Sequence, residues 1–191
     1  MKNKKKLLVV LACLALCVCT VVTGTLAWLT AKTETVTNTF SPSNIQLTLT
    51  ETGTTDNKKE FKMVPSQEFP KDPTVTVTAD IASYVFVKVE KVNNPDTYLD
   101  YSIAGGWTEL TTGSGIYYRA VPANPAEGFH VLTGDKVTVK SGVTMEQMNA
   151  LYENGQVKTD AIPTLKFTAY AIQQLGFADA AAAWEVAKNL P

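Results

Sequence analysis

Side chains able to carry out catalysis are scarce in this chain. His130 is the only histidine, and its place between Phe129 and Val131 predicts an outward-facing residue on a short strand. A zinc protease needs several ligands and a base, commonly as His-Glu-x-x-His on one helix, and a serine hydrolase needs a base beside its nucleophile. Neither pattern is present, and Gly113-Ser114-Gly115 has the composition of a turn. We therefore expect no catalytic residue, no cofactor and no enzymatic activity.

Two aspartates, Asp96 and Asp100, lie close in sequence to Asn93 and Asn94. Their oxygens are suitable calcium ligands, but the spacing differs from that of an EF-hand loop. An Asn-Asn-Pro-Asp sequence is typical of a turn, which explains these residues without a metal. We assign no metal site, and calcium binding stays open. Paired carboxylates for glycoside hydrolysis meet only in space, and nothing in the sequence favours them.

Aromatic side chains are concentrated between residues 98 and 118. Two interpretations of this concentration stay open. The aromatic residues are core and cross-strand partners, which we favour, or they form a face that binds a sugar or a protein. The residues of this predicted binding face are Tyr98, Tyr101, Trp107, Tyr117 and Tyr118.

Segments of alternating polarity should hold these residues in place. Threonine and valine are frequent, and both favour strands because they branch at Cβ. The strongest predicted strand covers 83–92, with apolar residues on both faces near its start, so we expect cover on both sides. The other predicted strands are 45–50, 74–78, 116–121 and 164–173, with shorter alternating segments at 61–63, 98–110, 129–132 and 135–140.

Two helices are predicted near the end of the chain. Thr144 as N-cap, with Gln147 at the reciprocal position, predicts a helix that runs to about Tyr152. Apolar residues at three- or four-residue spacing, Phe177, Ala181, Trp184 and Ala187, predict a second helix over 178–189 that packs on a sheet or covers an edge. The fold class is therefore all-β, a sandwich of Ig-like or jelly-roll type decorated with two short helices.

The start of the chain determines the destination of the protein. Four lysines lie within residues 2–6, an apolar segment covers 7–22, and Thr25-Leu26-Ala27 ends in a small residue. This is the three-part layout of a secretory signal peptide. We predict a signal-peptide helix over 1–27, cleavage by a signal peptidase between Ala27 and Trp28, and one domain over 28–191. The product would be secreted and remain extracellular or at the cell surface.

Two other interpretations of the leader stay open. Residues 7–29 are 23 residues without a charge, long enough to span a bilayer, so an uncleaved helix would tether the domain to the membrane. Val10-Leu11-Ala12-Cys13 is similar to a lipobox, which would make the protein a lipoprotein. Apart from an uncleaved leader, we expect no contact with a membrane.

Residues 24–30, 33–40 and 44–49 carry a resemblance to a known group of proteins. They resemble the signal and first strand of Gram-positive proteins processed by the peptidase SipW, a group that includes the TasA and camelysin family of biofilm-matrix fibre proteins. Ala31 stands where the pattern has an acidic residue. The resemblance is specific over about 20–50, and beyond that the chain is similar to uncharacterised secreted proteins with this signal. The zinc motif is missing, so the metalloprotease label of camelysin relatives is not carried over.

The resemblance implies a structural protein of the cell surface or biofilm matrix, with a homo-oligomer or a related matrix protein as partner. Loss of the leader would free a Thr-rich segment, 28–40, that can add as a strand to the sheet edge of a neighbour. Such a head-to-tail contact does not close and so produces filaments. The residues of this predicted strand-exchange segment are Trp28, Val36, Asn38 and Phe40. A monomeric adhesin or glycan- or protein-binding module is the alternative, and a secreted hydrolase is the third hypothesis.

Charge and cysteine content limit the partners. Residues 28–191 contain 13 basic and 18 acidic side chains, a net charge of −5. Such an acidic domain is not expected to bind nucleic acid or anionic surfaces. All three cysteines, Cys13, Cys17 and Cys19, lie in the apolar leader, so the processed chain should contain no disulfide.

Overall fold

The computed structural model describes residues 2–24, 42–54 and 58–190, and side chains of the first range only over 3–14. The chain divides into two units, Met1–Ser41 and Pro42–Pro191, which are described separately below. The predicted cleavage site, Ala27 and Trp28, lies outside the described residues. The same holds for the predicted strand-exchange residues, Trp28, Val36, Asn38 and Phe40.

The first unit contains a single described helix, α1, over Lys2–Gly24. Its described side chains are exposed, among them Leu7, Leu8 and Leu11. A helix is thus present where a signal-peptide helix is predicted, while its role as a signal stays a prediction. Among the residues that the structure describes, no helix combines the length and apolar character needed to cross a membrane.

The second unit is mostly β, with strands joined by turns and three short helices among its described residues. The strands are β1 (Ile45–Thr50), β2 (Glu68–Pro70), β3 (Thr74–Ala79), β4 (Ser83–Val92), β5 (Leu99–Asp100), β6 (Thr108–Glu109), β7 (Ile116–Val121), β8 (Phe129–His130), β9 (Lys136–Val139), β10 (Tyr152–Glu153), β11 (Gln156–Val157) and β12 (Thr164–Gln173). The helices are α2 (Pro95–Tyr98), α3 (Met145–Asn149) and α4 (Ala180–Ala187), with one 3-10 turn at Thr133–Asp135.

Two antiparallel sheets contribute side chains to one core, an arrangement compatible with a β-sandwich. Their strand orders are β1-β3-β8 and β12-β4-β7-β6. Val75 and Val77 of β3 and Val85 and Val87 of β4 are buried in the shared core. The alternation of β1 is confirmed, because every second side chain from Ile45 packs against this core. A smaller sheet, β2-β9-β5, and the hairpin β10-β11 complete the unit.

Strand β4 is covered on both faces, as its sequence predicts. Its odd-numbered valines face the shared core, while Phe86 packs on the other side against α4. Phe86 is fully buried, and burial of such a side chain contributes about 1.5–3 kcal/mol. The four-stranded sheet therefore lies between the β1-β3-β8 sheet and α4.

Helix α4 packs on a sheet face, with a contact stripe that differs from the prediction by one residue. Asp179 is the N-cap, and its carboxylate accepts a hydrogen bond from the Ala182 N–H at 2.8 Å. Ala180 and Ala183 are buried, whereas Ala181, placed in the predicted stripe, is exposed. Consecutive alanines fit either register, so Trp184 sets the orientation through its ring contact with Phe86, which lies in a different element.

The predicted helix start at Thr144 is confirmed, but the predicted helix end at Tyr152 is wrong. The Thr144 hydroxyl accepts from the Gln147 N–H at 3.2 Å, and the Gln147 side chain accepts from the Thr144 N–H at 2.8 Å. The helix stops at Asn149, because Tyr152 begins a hairpin. Asn154-Gly155, both at positive φ, make the two-residue turn that this dipeptide favours. The predicted alternating segment at 61–63 is not a strand.

Candidate functional site

The predicted aromatic face is divided by the sheet. Tyr117 and Tyr118 are neighbours on β7, so they point to opposite sides, Tyr117 toward the shared core and Tyr118 toward α4. Trp107 also packs on the shared core, and its indole N–H donates to the His130 carbonyl at 2.8 Å. All five aromatic residues of the predicted face are partly buried. Core packing thus accounts for three of them.

Tyr101 and Tyr117 come together in an open cleft of about 470 Å³. The cleft lies where the end of β4, helix α2 and strand β5 meet, and Lys140 reaches it from the residue after β9. Its walls therefore combine two phenol rings with apolar and charged side chains. The remaining lining residues are Val89, Lys91, Asp96, Leu99, Asp100, Ser102 and Ile103.

A network of hydrogen bonds fixes the charged wall of this cleft. Lys91 Nζ lies 2.7 Å from Asp96 Oδ2, and the Tyr101 hydroxyl donates to Asp96 Oδ1 at 3.2 Å. The hydrogen bond between Lys91 and Asp96 raises the pKa of the lysine and lowers the pKa of the aspartate. Burial raises the pKa of Tyr101. At neutral pH the wall presents an ammonium, a carboxylate and a neutral phenol, which can bind hydroxyl or amide groups.

Both aspartates of the possible calcium cluster, and Asn93, have other partners. Asp96 binds Lys91 and Tyr101, and Asp100 lies 3.7 Å from Lys140 Nζ. The Asn93 amide donates to the carbonyls of residues 160 and 162. Within residues 42–54 and 58–190, no three His, Cys, Asp or Glu side chains are grouped as metal ligands would be. Turn formation and pairing with lysine explain this segment.

His130 is exposed on β8, which confirms its predicted outward position. Its Nδ1 lies 2.9 Å from Asp135 Oδ1 and 3.3 Å from Thr74 Oγ1. A Ser-His-Asp relay needs the carboxylate and the nucleophile on different ring nitrogens. Here both groups approach the same nitrogen, so this cluster does not form a relay.

Strand β12 offers a second candidate site, made of backbone groups. It is an edge strand that pairs on one side with β4 and, among the described residues, has no partner strand on the other. The Val89 N–H of β4 donates to the Gly115 carbonyl and so points toward β7. The N–H of Gln174, the residue after β12, donates to the carbonyl of Ala82, the residue before β4. Because N–H directions alternate along a strand, the odd-numbered residues of β12 point their N–H groups away from β4. These residues are Leu165, Phe167, Ala169, Ala171 and Gln173.

The core is thin beside this edge. Inward-facing side chains of β1 and β12 are only partly buried, in contrast to those of β3 and β4. Lys71 covers one point of the seam between β1 and β12. Its Nζ lies 5.2 Å from the centre of the Phe167 ring and 2.9 Å from Glu51 Oε2. The other oxygen of Glu51, Oε1, is buried and has no hydrogen-bond partner among the described residues. The seam therefore exposes apolar surface, and the Glu51 acceptor beneath it has no partner in the described part of the chain.

Sequence reasoning missed both the charged wall and the β12 edge. The wall brings Lys91 and Lys140 together through the pairing of β5 with β9, which no local pattern shows. The ten-residue alternation of 164–173 predicts the strand β12 itself. No local pattern shows that this strand lies at the edge of its sheet. Searches against protein-family models, curated proteins and solved structures gave no match for the chain.

Proposed function

We propose that this is a secreted structural protein of the cell surface or biofilm matrix that assembles by strand exchange. Residues 28–40 of one copy would add, in the next copy, to the edge of β12 that has no partner strand among the described residues. The observation that carries the proposal is the ten-residue edge strand with five outward N–H groups. An edge of this kind is a template for another strand.

The dimensions and chemistry of the edge support this partner. Thirteen extended residues, 28–40, span about 43 Å, and the ten residues of β12 span about 33 Å, so the segment can pair along the whole strand. Its apolar members, among them Val36 and Phe40, suit the thin core beside β1 and β12. Each added backbone hydrogen bond contributes about 1 kcal/mol.

We propose an Ig-like or jelly-roll topology as the finer description of the fold. The chain passes from one sheet to the other between β3 and β4 and again between β7 and β8, and such crossings are typical of Greek-key sandwiches. The Gly113-Ser114-Gly115 turn joins the β6 and β7 strands within one sheet. The proposal carries no catalytic activity. Chelator-sensitive hydrolysis of casein by the purified protein would overturn that part of it.

Electron microscopy of two chains, 28–191 and 42–191, tests the assembly proposal. We expect filaments from the longer chain and none from the shorter, which lacks the donor segment but retains β12. N-terminal sequencing of native material should begin at or near Trp28. Material that still begins at Met1 would favour a membrane-tethered domain, and a longer chain that stays monomeric at all concentrations would reject assembly.

A monomeric binding module is the second candidate, favoured by the cleft that contains Tyr101 and Tyr117. A phenol ring beside paired charges suits a sugar or a polar peptide. Calorimetry against a panel of oligosaccharides and peptides would test it. Tyr101→Phe should weaken binding by removing the hydroxyl that donates to Asp96. Tyr152→Phe, a change at an exposed tyrosine outside the cleft, should leave it unchanged.

A further inference from the structure

Arg119 is the only arginine of the chain, beside sixteen lysines. It lies on β7, and its guanidinium carbon is 5.2 Å from the ring centre of Trp107 and 4.2 Å from that of Phe129. Trp107 precedes β6 in one sheet, and Phe129 begins β8 in the other. A planar guanidinium stacks on aromatic rings in a way that an ammonium does not. The two rings therefore hold the Arg119 head group in a fixed orientation between the sheets.

Within the part of the chain that the structure describes, the guanidinium has stacking partners but no charge partner. Burial lowers the pKa of Arg119, and no carboxylate among the described residues acts in the opposite direction. In the same part of the chain, no side-chain nitrogen is both fully buried and without a hydrogen bond. The unpaired N–H groups of Arg119 must therefore reach the surface. A partly desolvated cation that lacks an anion is costly to the fold.

The turn before Trp107 is shaped around this head group. Gly106 has a φ of 86°, in the region that favours glycine. A Cβ at Gly106 would lie 2.2 Å from Arg119 Nη2, so a larger residue would push the guanidinium from its place. The backbone conformation favours glycine at this position, and any side chain there would displace the Arg119 head group. The fixed placement of the guanidinium thus depends on three parts of the chain.

We infer that Arg119 binds the carboxylate group of a ligand. The guanidinium fork presents two parallel N–H groups that match the two oxygens of a carboxylate. Fixing the fork before binding lowers the entropy cost of association. The net charge of −5 over residues 28–191 disfavours anions in general, so binding here would depend on the local geometry. An acidic sugar and an acidic amino acid both carry the required group.

Nuclear magnetic resonance of the full chain labelled with ¹⁵N-arginine tests this directly, because Arg119 gives the only Nε–H signal. We expect acetate to shift that signal saturably, with a midpoint on the order of millimolar. Acetamide, which is neutral, and chloride at equal ionic strength should not. Glucuronate compared with glucose, and N-acetylglutamate compared with N-acetylglutamine, distinguish the two sources of the carboxylate.

A matched pair of variants identifies the residue responsible. With the backbone amide of Trp107 as reporter, Arg119→Lys should weaken acetate binding at least about tenfold, the effect of losing one charge-assisted hydrogen bond. Lys188→Gln, which removes an exposed cation on the residue after α4, should leave binding unchanged. An Nε–H signal that does not saturate with acetate, or that shifts equally with chloride, would overturn the inference. The titration of the unmodified chain decides the question even if Arg119→Lys does not fold.

Discussion

Ala169→Pro is the substitution that separates the fold of β12 from its use as an acceptor edge. The Ala169 N–H points away from β4, so proline removes no hydrogen bond of the existing ladder. Proline is tolerated on edge strands for this reason. We expect the free energy of unfolding to change by no more than about 1 kcal/mol.

The same substitution should block strand addition. It deletes one donor, worth about 1 kcal/mol, and places a ring where the incoming carbonyl would bind. Together these effects should exceed about 1.4 kcal/mol, which raises the concentration needed for assembly at least about tenfold. Sedimentation of the 28–191 chain over a concentration series measures that threshold, and thermal unfolding measures stability.

Two controls complete this experiment. Ala169→Ser retains the N–H and should assemble like the unmodified chain. Thr168→Pro affects an N–H directed toward β4, and should cost about 1–3 kcal/mol of stability by leaving the partner carbonyl unpaired. If Ala169→Pro forms filaments at the same threshold concentration as the unmodified chain, β12 is not the acceptor.

Three further predictions concern the fold and the charged wall. Trp184→Ala should cost about 2–4 kcal/mol of stability in chemical denaturation, because the centre of its ring lies 5.3 Å from that of Phe86. Val186→Ala, on the exposed side of α4, should change stability by less than about 0.5 kcal/mol. Equal effects of the two substitutions would contradict the packing of α4. Thr144→Ala should cost about 1 kcal/mol through loss of the N-cap, and an unchanged denaturation midpoint would contradict this. The lowered pKa of Asp96 means that its contribution to stability is present above about pH 4, the usual aspartate range, and is lost as pH falls through the lower folded value. At neutral pH, Asp96→Asn should reduce stability by less than about 1 kcal/mol, because the pair of Lys91 and Asp96 is exposed. This difference from the unmodified protein should shrink in acid. A difference that grows in acid would contradict the assigned sign.

Long alternating segments were the most predictable parts of the fold. The predicted strands 83–92 and 164–173 match β4 and β12 at both ends, because ten residues of alternation leave no other register for their apolar faces. The capping box at Thr144 was equally clear, since both of its hydrogen bonds are local. Short segments were less predictable: the helix predicted to run to about Tyr152 ends earlier, because Tyr152 begins the hairpin that turns at Asn154-Gly155.

The aromatic residues show where local reasoning was incomplete. Tyr117 and Tyr118 are adjacent on a strand, so the two-residue period alone separates them, and this could have been predicted. The side chains that surround Tyr101 could not be predicted, because Lys91, Asp96 and Lys140 meet only through the positions of separate elements. In the same way, the stacking of Arg119 between Trp107 and Phe129 depends on how the two sheets face each other.

Hydrogen exchange at the edge of β12 tests the assembly account most directly. Amide exchange would be compared between assembled 28–191 chains and the isolated 42–191 chain. The account predicts that the N–H groups of Phe167, Ala169 and Ala171 become protected on assembly, while those of Thr168 and Tyr170, directed toward β4, are protected in both. Equal exchange of the three outward N–H groups in both samples would contradict it.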